Sequence, residues 1–222
     1  MTYELAPGVS YCLVADLGVV LDLNRDRYLG LGQAQAGALS ALARGAGVGP
    51  IDEAGLGPLI AAGLLVRDGR GQPVAPCART LPTRSALEIA HERSRATAMD
   101  VVEVFWAVLV VWSLLRLCPF GRVVRWRRRR RRRAGGMSGR SAQAEALARR
   151  FLAVRSLVPV TPICLLDSLA MAHFLSCRGI DVDVVLAVAT PPFEAHAWAQ
   201  SGDCALNESL HRTAMLTPIL VV

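Results

Sequence analysis

The segment from residue 161 to the end of the 222-residue chain follows an order of elements that leaves few architectures open. A helical pattern begins after Thr161 and Pro162 and ends at Gly179, because Thr caps helices, Pro suits their first position and Gly closes them. The apolar run 183–188 predicts a buried strand, and 195–207, with a turn in its middle, predicts a hairpin. A helix followed by paired strands favours an α+β fold.

The basic charge is confined to one place. The net charge is +7, and the run 127–133 alone holds seven arginines, so the rest of the chain is neutral. No aromatic residue interrupts the run, so it has no platform for stacked bases, and we expect no nucleic-acid partner. Because the Gly-rich stretch 134–139 follows, we expect a solvated, partly disordered loop. Weak association with an anionic membrane is the alternative.

Composition and cysteine spacing exclude several classes of protein. Hydrophobic residues make up 53% of the chain, which is enough for a core and excludes a disordered protein. No two of the six cysteines form a C-x-x-C pair, so we expect no metal and no cofactor. Residues 1–21 lack a basic segment typical of a signal peptide, so we expect a cytoplasmic protein with reduced thiols. The apolar stretch 104–115 is shorter than the roughly 20 residues of a membrane span, and it predicts a buried core helix.

The pattern along the chain indicates two domains. Residues 1–76 alternate strand and helix signals in the order of a winged-helix-type domain: strands 9–14, 19–23 and 27–31, helices 33–43 and 52–62, and a strand at 64–66. Residues 77–94 are turn-rich at their start and are predicted to be a linker. Residues 95–222 are predicted to form the second domain.

Cys164 and His196 are the candidate nucleophile and base. Cys164 is expected about three residues inside a helix, where unpaired N–H groups and the helix dipole lower the pKa of a thiol and can bind an oxyanion. His196 lies 32 residues later on a predicted strand. A single buried cysteine or a lone histidine is usually structural, so the hypothesis depends on both together.

A third group must orient the imidazole ring of His196. The hairpin places Asn207, Glu208 or Ser209 opposite it, depending on the length of the turn, and Glu208 or Asn207 can accept a hydrogen bond from a ring N–H. Asp203 lies in the turn, too far away. Of the other histidines, His211 is a second candidate for the base, and His173 and His91 are expected to be structural or solvated.

The flanks of these residues resemble a known family. Cys164-Leu165, Ser168-Leu169-Ala170, Arg178-Gly179-Ile180 and the stretch 192–198, PFEAHAW, look like the lasso-peptide maturation protease. That family consists of transglutaminase-like cysteine proteases that remove the leader of a ribosomally synthesised precursor peptide. The resemblance covers about 95–209. It implies Cys164, His196 and Glu208 as the catalytic residues, although the family usually has Asp where Glu208 stands.

The resemblance also implies partners. An ATP-dependent, asparagine-synthetase-like macrolactam synthetase would act on the amine that cleavage exposes, and the leader would have Thr at its penultimate position. The N-terminal half is similar to the PqqD-like leader-recognition element, which implies that the leader adds a strand to a sheet edge. Tyr28, Arg25 and Arg27 lie near the expected edge and are the predicted leader-binding residues.

Two other functions are compatible with the sequence. An acyl-enzyme on Cys164 could be captured by an amine instead of water, which would make the protein an acyl transferase of the transglutaminase type. Alternatively, the chain could be a non-enzymatic winged-helix regulator that works through the run 127–133.

Overall fold

A computed structural model describes most of the chain, and the described part is a mixed α+β protein. The described residues are 3–15, 17–45, 50–67, 69, 71–88, 97–133 and 141–222. The chain divides into two compact units. The first comprises Met1–Arg79, Val188–Glu194 and Thr217–Leu220, and the second comprises Thr80–Ala187, Ala195–Leu216 and Val221–Val222.

Within its described residues, the first unit contains two antiparallel sheets and two helices. Strands β2, β3 and β4 form one sheet in that order, and β1 pairs with β5 in the other. The bounds are β1 Tyr3–Leu5, β2 Val9–Val14, β3 Leu17–Asp22, β4 Arg27–Leu31, α1 Gln33–Ala43, α2 Pro50–Ala61 and β5 Leu65–Arg67. All six elements predicted for 1–76 are present within a few residues of their predicted bounds, and β1 is an addition.

The β3–β4 turn shows why the prediction works here. The carboxylate of Asp22 accepts hydrogen bonds from the backbone N–H groups of Asn24 and Arg25, at 3.0 and 3.3 Å. Asp26 adopts φ 51°, a left-handed conformation that Asp tolerates better than most residues. The turn is therefore specified by neighbouring residues, and the strands on either side follow from their apolar pattern.

The second unit holds five helices and most of a five-stranded sheet, counted over the described ranges. The sheet has the order β10-β7-β8-β9-β6, and β6 runs parallel to β9. The bounds are β6 Arg84–Ser85, α3 Ala98–Leu117, α4 Phe120–Arg133, α5 Ser141–Arg155, α6 Cys164–Ser176, β7 Asp183–Ala189, β8 Glu194–Ser201, β9 Cys204–Ala205, α7 Leu210–Ala214 and β10 Thr217–Val221. The sequence placed β6 in the linker 77–94.

Helix α6 is the centre of the second unit. Its side chains from Ser168 to Leu175 are all buried, and it packs against α3, α4 and α5. The rings of Phe151 and Phe174 meet edge to face, with centroids 5.6 Å apart. This packing holds the first turn of α6, which carries Cys164, in a fixed position.

Helix α3 differs from the predicted buried core helix. It has 20 residues, and by length and composition alone it could cross a membrane. Only one of its faces is buried. Val104, Ala107, Val108 and Val111 face the domain, whereas most of the other side chains of the helix are exposed or half-buried.

The arginine run is not a loop, so that prediction is wrong. Arg127 to Arg133 continue α4. Arg127 is 1% exposed, and its guanidinium donates to Asp181 at 2.9 Å, the Val182 carbonyl at 2.6 Å and Ser176 at 3.1 Å. These bonds compensate the desolvation of the buried cation, and arginine is a good helix former. The Gly-rich stretch 134–139 lies outside the described residues.

Candidate active site

Cys164 is the first residue of α6, two positions earlier in the helix than predicted. Ile163 is the N-cap, with extended backbone and no side-chain cap, and the predicted cap Thr161 lies outside the helix. Asp167 has the first N–H group in α6 that donates to a backbone carbonyl of the preceding turn, and its acceptor is the carbonyl of Ile163. The N–H groups before it are unpaired within the helix, and their partial positive charge surrounds the thiol.

His196 and Glu208 form a close pair. His196 Nε2 lies 2.5 Å from Glu208 Oε2. The turn has two residues, because Ser201 pairs with Cys204 and Gln200 with Ala205, and the Leu206 N–H still donates to the Ala199 carbonyl at 2.8 Å. Glu208 therefore reaches the ring from the bend after β9 and not as a direct cross-strand partner.

Glu208 is itself held in place. Its Oε1 accepts from the N–H of Ser209 at 2.8 Å. Its backbone carbonyl accepts from the hydroxyl of Ser85 at 2.7 Å, and Ser85 is 1% exposed. Ser85 lies on β6 and is 123 residues away in sequence, so nothing local in the sequence could reveal this role. Segment 77–94 thus contributes directly to the site.

The electrostatics favour a thiolate and an imidazolium. The hydrogen bond with His196 lowers the pKa of Cys164, opposed by burial, and the backbone N–H groups of Ala197 and Leu165 lower it further. The hydrogen bond with Cys164 raises the pKa of His196, again opposed by burial, and Glu208 adds to the rise. Both shifts stabilise the same charged pair, which is the reactive state of a cysteine nucleophile.

A buried bridge joins α6 to β8 next to the pair. The Ser168 hydroxyl lies 2.6 Å from the Cys164 carbonyl and 3.0 Å from the Ala197 carbonyl. It also accepts from the Asn207 side-chain amide at 3.0 Å, while the Asn207 oxygen accepts from the Ala199 N–H at 2.7 Å. Asn207 thus links helix to strand, and Glu208 is the residue on the imidazole.

The remaining polar candidates have other partners or positions. Asp203 pairs with Arg84 at 3.3 Å, away from His196 as expected. His211 is exposed on α7, and the histidine that bonds to Cys164 is His196. His173 is buried against Arg130, and His91 lies outside the described residues. Across the described ranges, no three His, Cys, Asp or Glu side chains cluster as metal ligands would.

The predicted leader-binding residues lie on or next to β4, an edge strand of its sheet. Arg25 contacts Asp22 at 3.1 Å and the Ala62 carbonyl, and Arg27 lies 3.9 Å from Asp22, so both have structural partners in the hairpin. The Tyr28 ring packs on Phe193, with centroids 5.4 Å apart. Tyr28 and Phe193, together with parts of β3 and β4, line a groove of about 410 Å³, and neither Arg25 nor Arg27 lines it.

The site can therefore perform acyl transfer to a thiol. It holds a nucleophile with a lowered pKa, a base that a carboxylate orients, and unpaired N–H groups that can stabilise an oxyanion.

Comparison with known proteins agrees with this chemistry. A family model described as the transglutaminase-like superfamily matches residues 105–221, which include all three residues of the site. No curated protein and no solved structure gave a match.

Proposed function

Since the chain belongs to the transglutaminase-like superfamily, whose fold is typically that of cysteine proteases and acyltransferases, we propose that it is a cysteine endopeptidase that removes the leader from a ribosomally synthesised lasso-peptide precursor. The observation that carries the peptidase proposal is the arrangement of Cys164, His196 and Glu208. The flanks of Cys164 and His196, which resemble the lasso-peptide maturation protease, support the choice of substrate.

In the proposed mechanism, the Cys164 thiolate attacks the carbonyl carbon of the leader–core peptide bond. The new C–S bond produces a tetrahedral oxyanion, which the N–H groups at the start of α6 stabilise. The His196 imidazolium protonates the departing nitrogen, the C–N bond breaks, and a thioester remains. Neutral His196 then takes a proton from water, the water oxygen attacks the thioester, and the C–S bond breaks to release the leader with a free carboxylate.

Glu208 stabilises the imidazolium in the first step and fixes the ring orientation. Because Nε2 contacts Glu208, Nδ1 is the nitrogen left for the thiol. This division of roles is that of a catalytic triad.

The first unit supplies a surface suited to leader recognition. Its three-stranded sheet ends at β4, and an edge strand can pair with an extended peptide. We assign the groove at Tyr28 and Phe193 to an apolar leader side chain. Arg25 and Arg27 would contribute through the hairpin that they stabilise. The PqqD-like likeness of residues 1–76 supports this assignment.

Cleavage would expose the amine on which an ATP-dependent macrolactam synthetase acts, so the proposed setting is the cytoplasm and the proposed partner is that synthetase. The protein itself needs no cofactor in this scheme, because thiol and imidazole supply the nucleophile and both proton transfers.

Acyl transfer is the second candidate, since the superfamily includes transglutaminase-type chemistry. An amine would then replace water in the second step. The two functions differ in their products: hydrolysis in isotopically labelled water places label in the new carboxylate of the leader, whereas transfer gives an amide-linked product without label.

The test is mass spectrometry of a precursor incubated with the full-length protein. We expect free leader with wild type and none with Cys164→Ala. Cys177→Ala is the matched control, because Cys177 also lies near a histidine at the other end of the same helix. Equal processing by wild type and Cys164→Ala would contradict the proposal, and loss of processing in both variants would assign the effect to folding.

A further inference from the structure

Helix α3 presents a continuous apolar stripe to solvent. At about 100° of rotation per residue, the exposed large apolar side chains of α3 fall within about 140° of the helix circumference, which places them on one face: Met99, Val102, Phe105, Trp106, Trp112 and Leu117. Met99 is 64% exposed, Trp106 58% and Leu117 80%. The stripe extends over the whole helix, about 30 Å. Isolated exposed apolar residues are ordinary, but a stripe of this length marks an interaction surface.

A strongly basic helix follows the stripe directly. Only Cys118 and Pro119 separate α3 from α4, and the exposed residues of α4 are nearly all arginines: Arg122, Arg125, Arg128, Arg129 and Arg130. Cations also contact the indole rings of both helices. The Arg116 guanidinium lies 5.6 Å from the centroid of Trp112, and that of Arg130 lies 5.3 Å from the centroid of Trp126.

We propose that α3 and α4 bind the protein to the surface of an anionic phospholipid bilayer. The arginines complement the negative headgroups, and the apolar stripe enters the boundary between headgroups and acyl chains. Tryptophan rings prefer this depth, because they combine an apolar body with one polar N–H. A bilayer offers apolar contact and negative charge along the full 30 Å, which favours it over an acidic protein as the occupant.

The helix lies on the membrane and does not cross it. Val104, Ala107, Val108 and Val111 pack against the domain, and α6 is their main neighbour. Asp100 is also buried, and its carboxylate accepts a hydrogen bond from the backbone N–H of Thr97 at 2.8 Å, which caps the N-terminus of the helix. Insertion across a bilayer would remove this face from the core and carry a carboxylate into hydrocarbon, which is expensive.

The test is co-sedimentation of the full-length protein with lipid vesicles. We expect binding to vesicles that contain phosphatidylglycerol, weak binding to pure phosphatidylcholine, and release at high salt. Brominated lipids should quench the exposed indoles of Trp106 and Trp112, while Trp198, which is fully buried, stays unquenched. Equal binding to both kinds of vesicle, or no binding to either, overturns the proposal, and the latter result leaves a protein partner as the occupant.

Variants separate the two contributions. A triple variant should bind anionic vesicles more weakly than wild type, by about fivefold for each arginine replaced. It carries Arg125→Gln, Arg128→Gln and Arg129→Gln. Val102→Gln with Trp106→Gln should weaken binding and remove the contribution of Trp106 to the quenching at α3. Leu157→Gln and Arg44→Gln are the matched controls, because Leu157 is 65% exposed and Arg44 is exposed at the end of α1. Unchanged binding by the helix variants contradicts the proposal. Since this property does not involve Cys164, Cys164→Ala should bind vesicles as wild type does.

Discussion

Helix α6 carries a cysteine–histidine pair at each end, and only one of them has the properties of a nucleophile and its base. At the N-terminal end, Cys164 meets His196, and Glu208 lies on the other side of the ring. At the C-terminal end, the sulfur of Cys177 lies 3.9 Å from Nδ1 of His173. The residue types are the same, so the difference lies in the surroundings.

The third group has opposite charge in the two pairs. Glu208 helps to raise the pKa of His196, so this ring can carry a proton beside the Cys164 thiolate. Arg130 lies 2.9 Å from His173 Nδ1 and donates to it, which occupies the lone pair that a base would need. Burial and then Arg130 lower the pKa of His173 to about 4. The helix dipole also favours a thiolate at Cys164 over one at Cys177, because its positive end lies at Cys164.

Two reactive residue types in contact do not by themselves make a catalytic pair. A carboxylate and a helix N-terminus stabilise charge separation, whereas a guanidinium next to the ring prevents it. The second pair is therefore assigned a structural role, in line with its packing: the ring of His173 meets Trp126 edge to face, with centroids 5.3 Å apart.

Removal of the carboxylate should have the largest effect. We expect Glu208→Gln to reduce kcat/KM for precursor cleavage about a hundredfold or more. Because Glu208 raises the pKa of His196, its loss lowers that pKa, and the alkaline limb of the pH–rate profile should move to lower pH. Asp203→Asn, a change in the same hairpin, should leave the limb in place. An unmoved limb in Glu208→Gln would contradict the triad.

Alkylation should separate the two thiols without any substrate. With iodoacetamide at pH 6, we expect Cys164 to react about tenfold to a hundredfold faster than Cys177, because the hydrogen bond with His196 lowers the pKa of Cys164 and favours its thiolate. Peptide mass spectrometry reads both sites in one sample. Exposure alone would predict the opposite order, since Cys177 is the more exposed of the two cysteines. A faster reaction at Cys177 would therefore contradict the assignment of Cys164 as the activated thiol.

Loss of the buried bridge should have a smaller effect. Ser168→Ala removes the hydroxyl between the Cys164 and Ala197 carbonyls, so the distance between thiol and imidazole is less constrained. We expect kcat to fall about tenfold with KM nearly unchanged. Ser176→Ala is the control, because Ser176 bonds to the Ala172 carbonyl in the same helix but not to β8. Equal loss of kcat in both variants would mean that the Ser168 hydroxyl acts on the general stability of the helix and not on the position of the thiol.

The smallest expected change tests the second pair. Arg130→Gln should raise the pKa of His173 from about 4, but not to its ordinary value, because burial is the larger cause of the depression. NMR titration of the ring protons measures this shift. Arg129→Gln alters a neighbouring exposed arginine and should leave the titration unchanged. A His173 pKa that does not respond to Arg130→Gln would mean that the charge of residue 130 is not what distinguishes the two pairs.

Much of the fold was predictable where the signals are local. The strands and helices of 1–76 were predicted because turn residues such as Asp22 and Asp26 act on their immediate neighbours. Helix α6 and strands β7 and β8 were predicted for the same reason. The arginine run was mispredicted as a loop, because the partner that buries Arg127, Asp181, lies 54 residues away along the chain.

In the candidate site, too, the features that depend on neighbouring residues were predictable and those that depend on distant residues were not. The sequence by itself determined that Cys164 lies in the first turn of a helix and that His196 lies on the strand of a hairpin, since glycines and apolar periodicity act within a few residues. It left Glu208 and Asn207 as alternatives. Only the tertiary structure assigned Glu208 to the ring and Asn207 to the bridge, because that choice depends on the two-residue turn and on a hydrogen bond from Ser85, which is 123 residues away along the chain. The same holds for the two cysteine–histidine pairs, whose electrostatics come from Glu208 and Arg130, residues that folding brings from other elements.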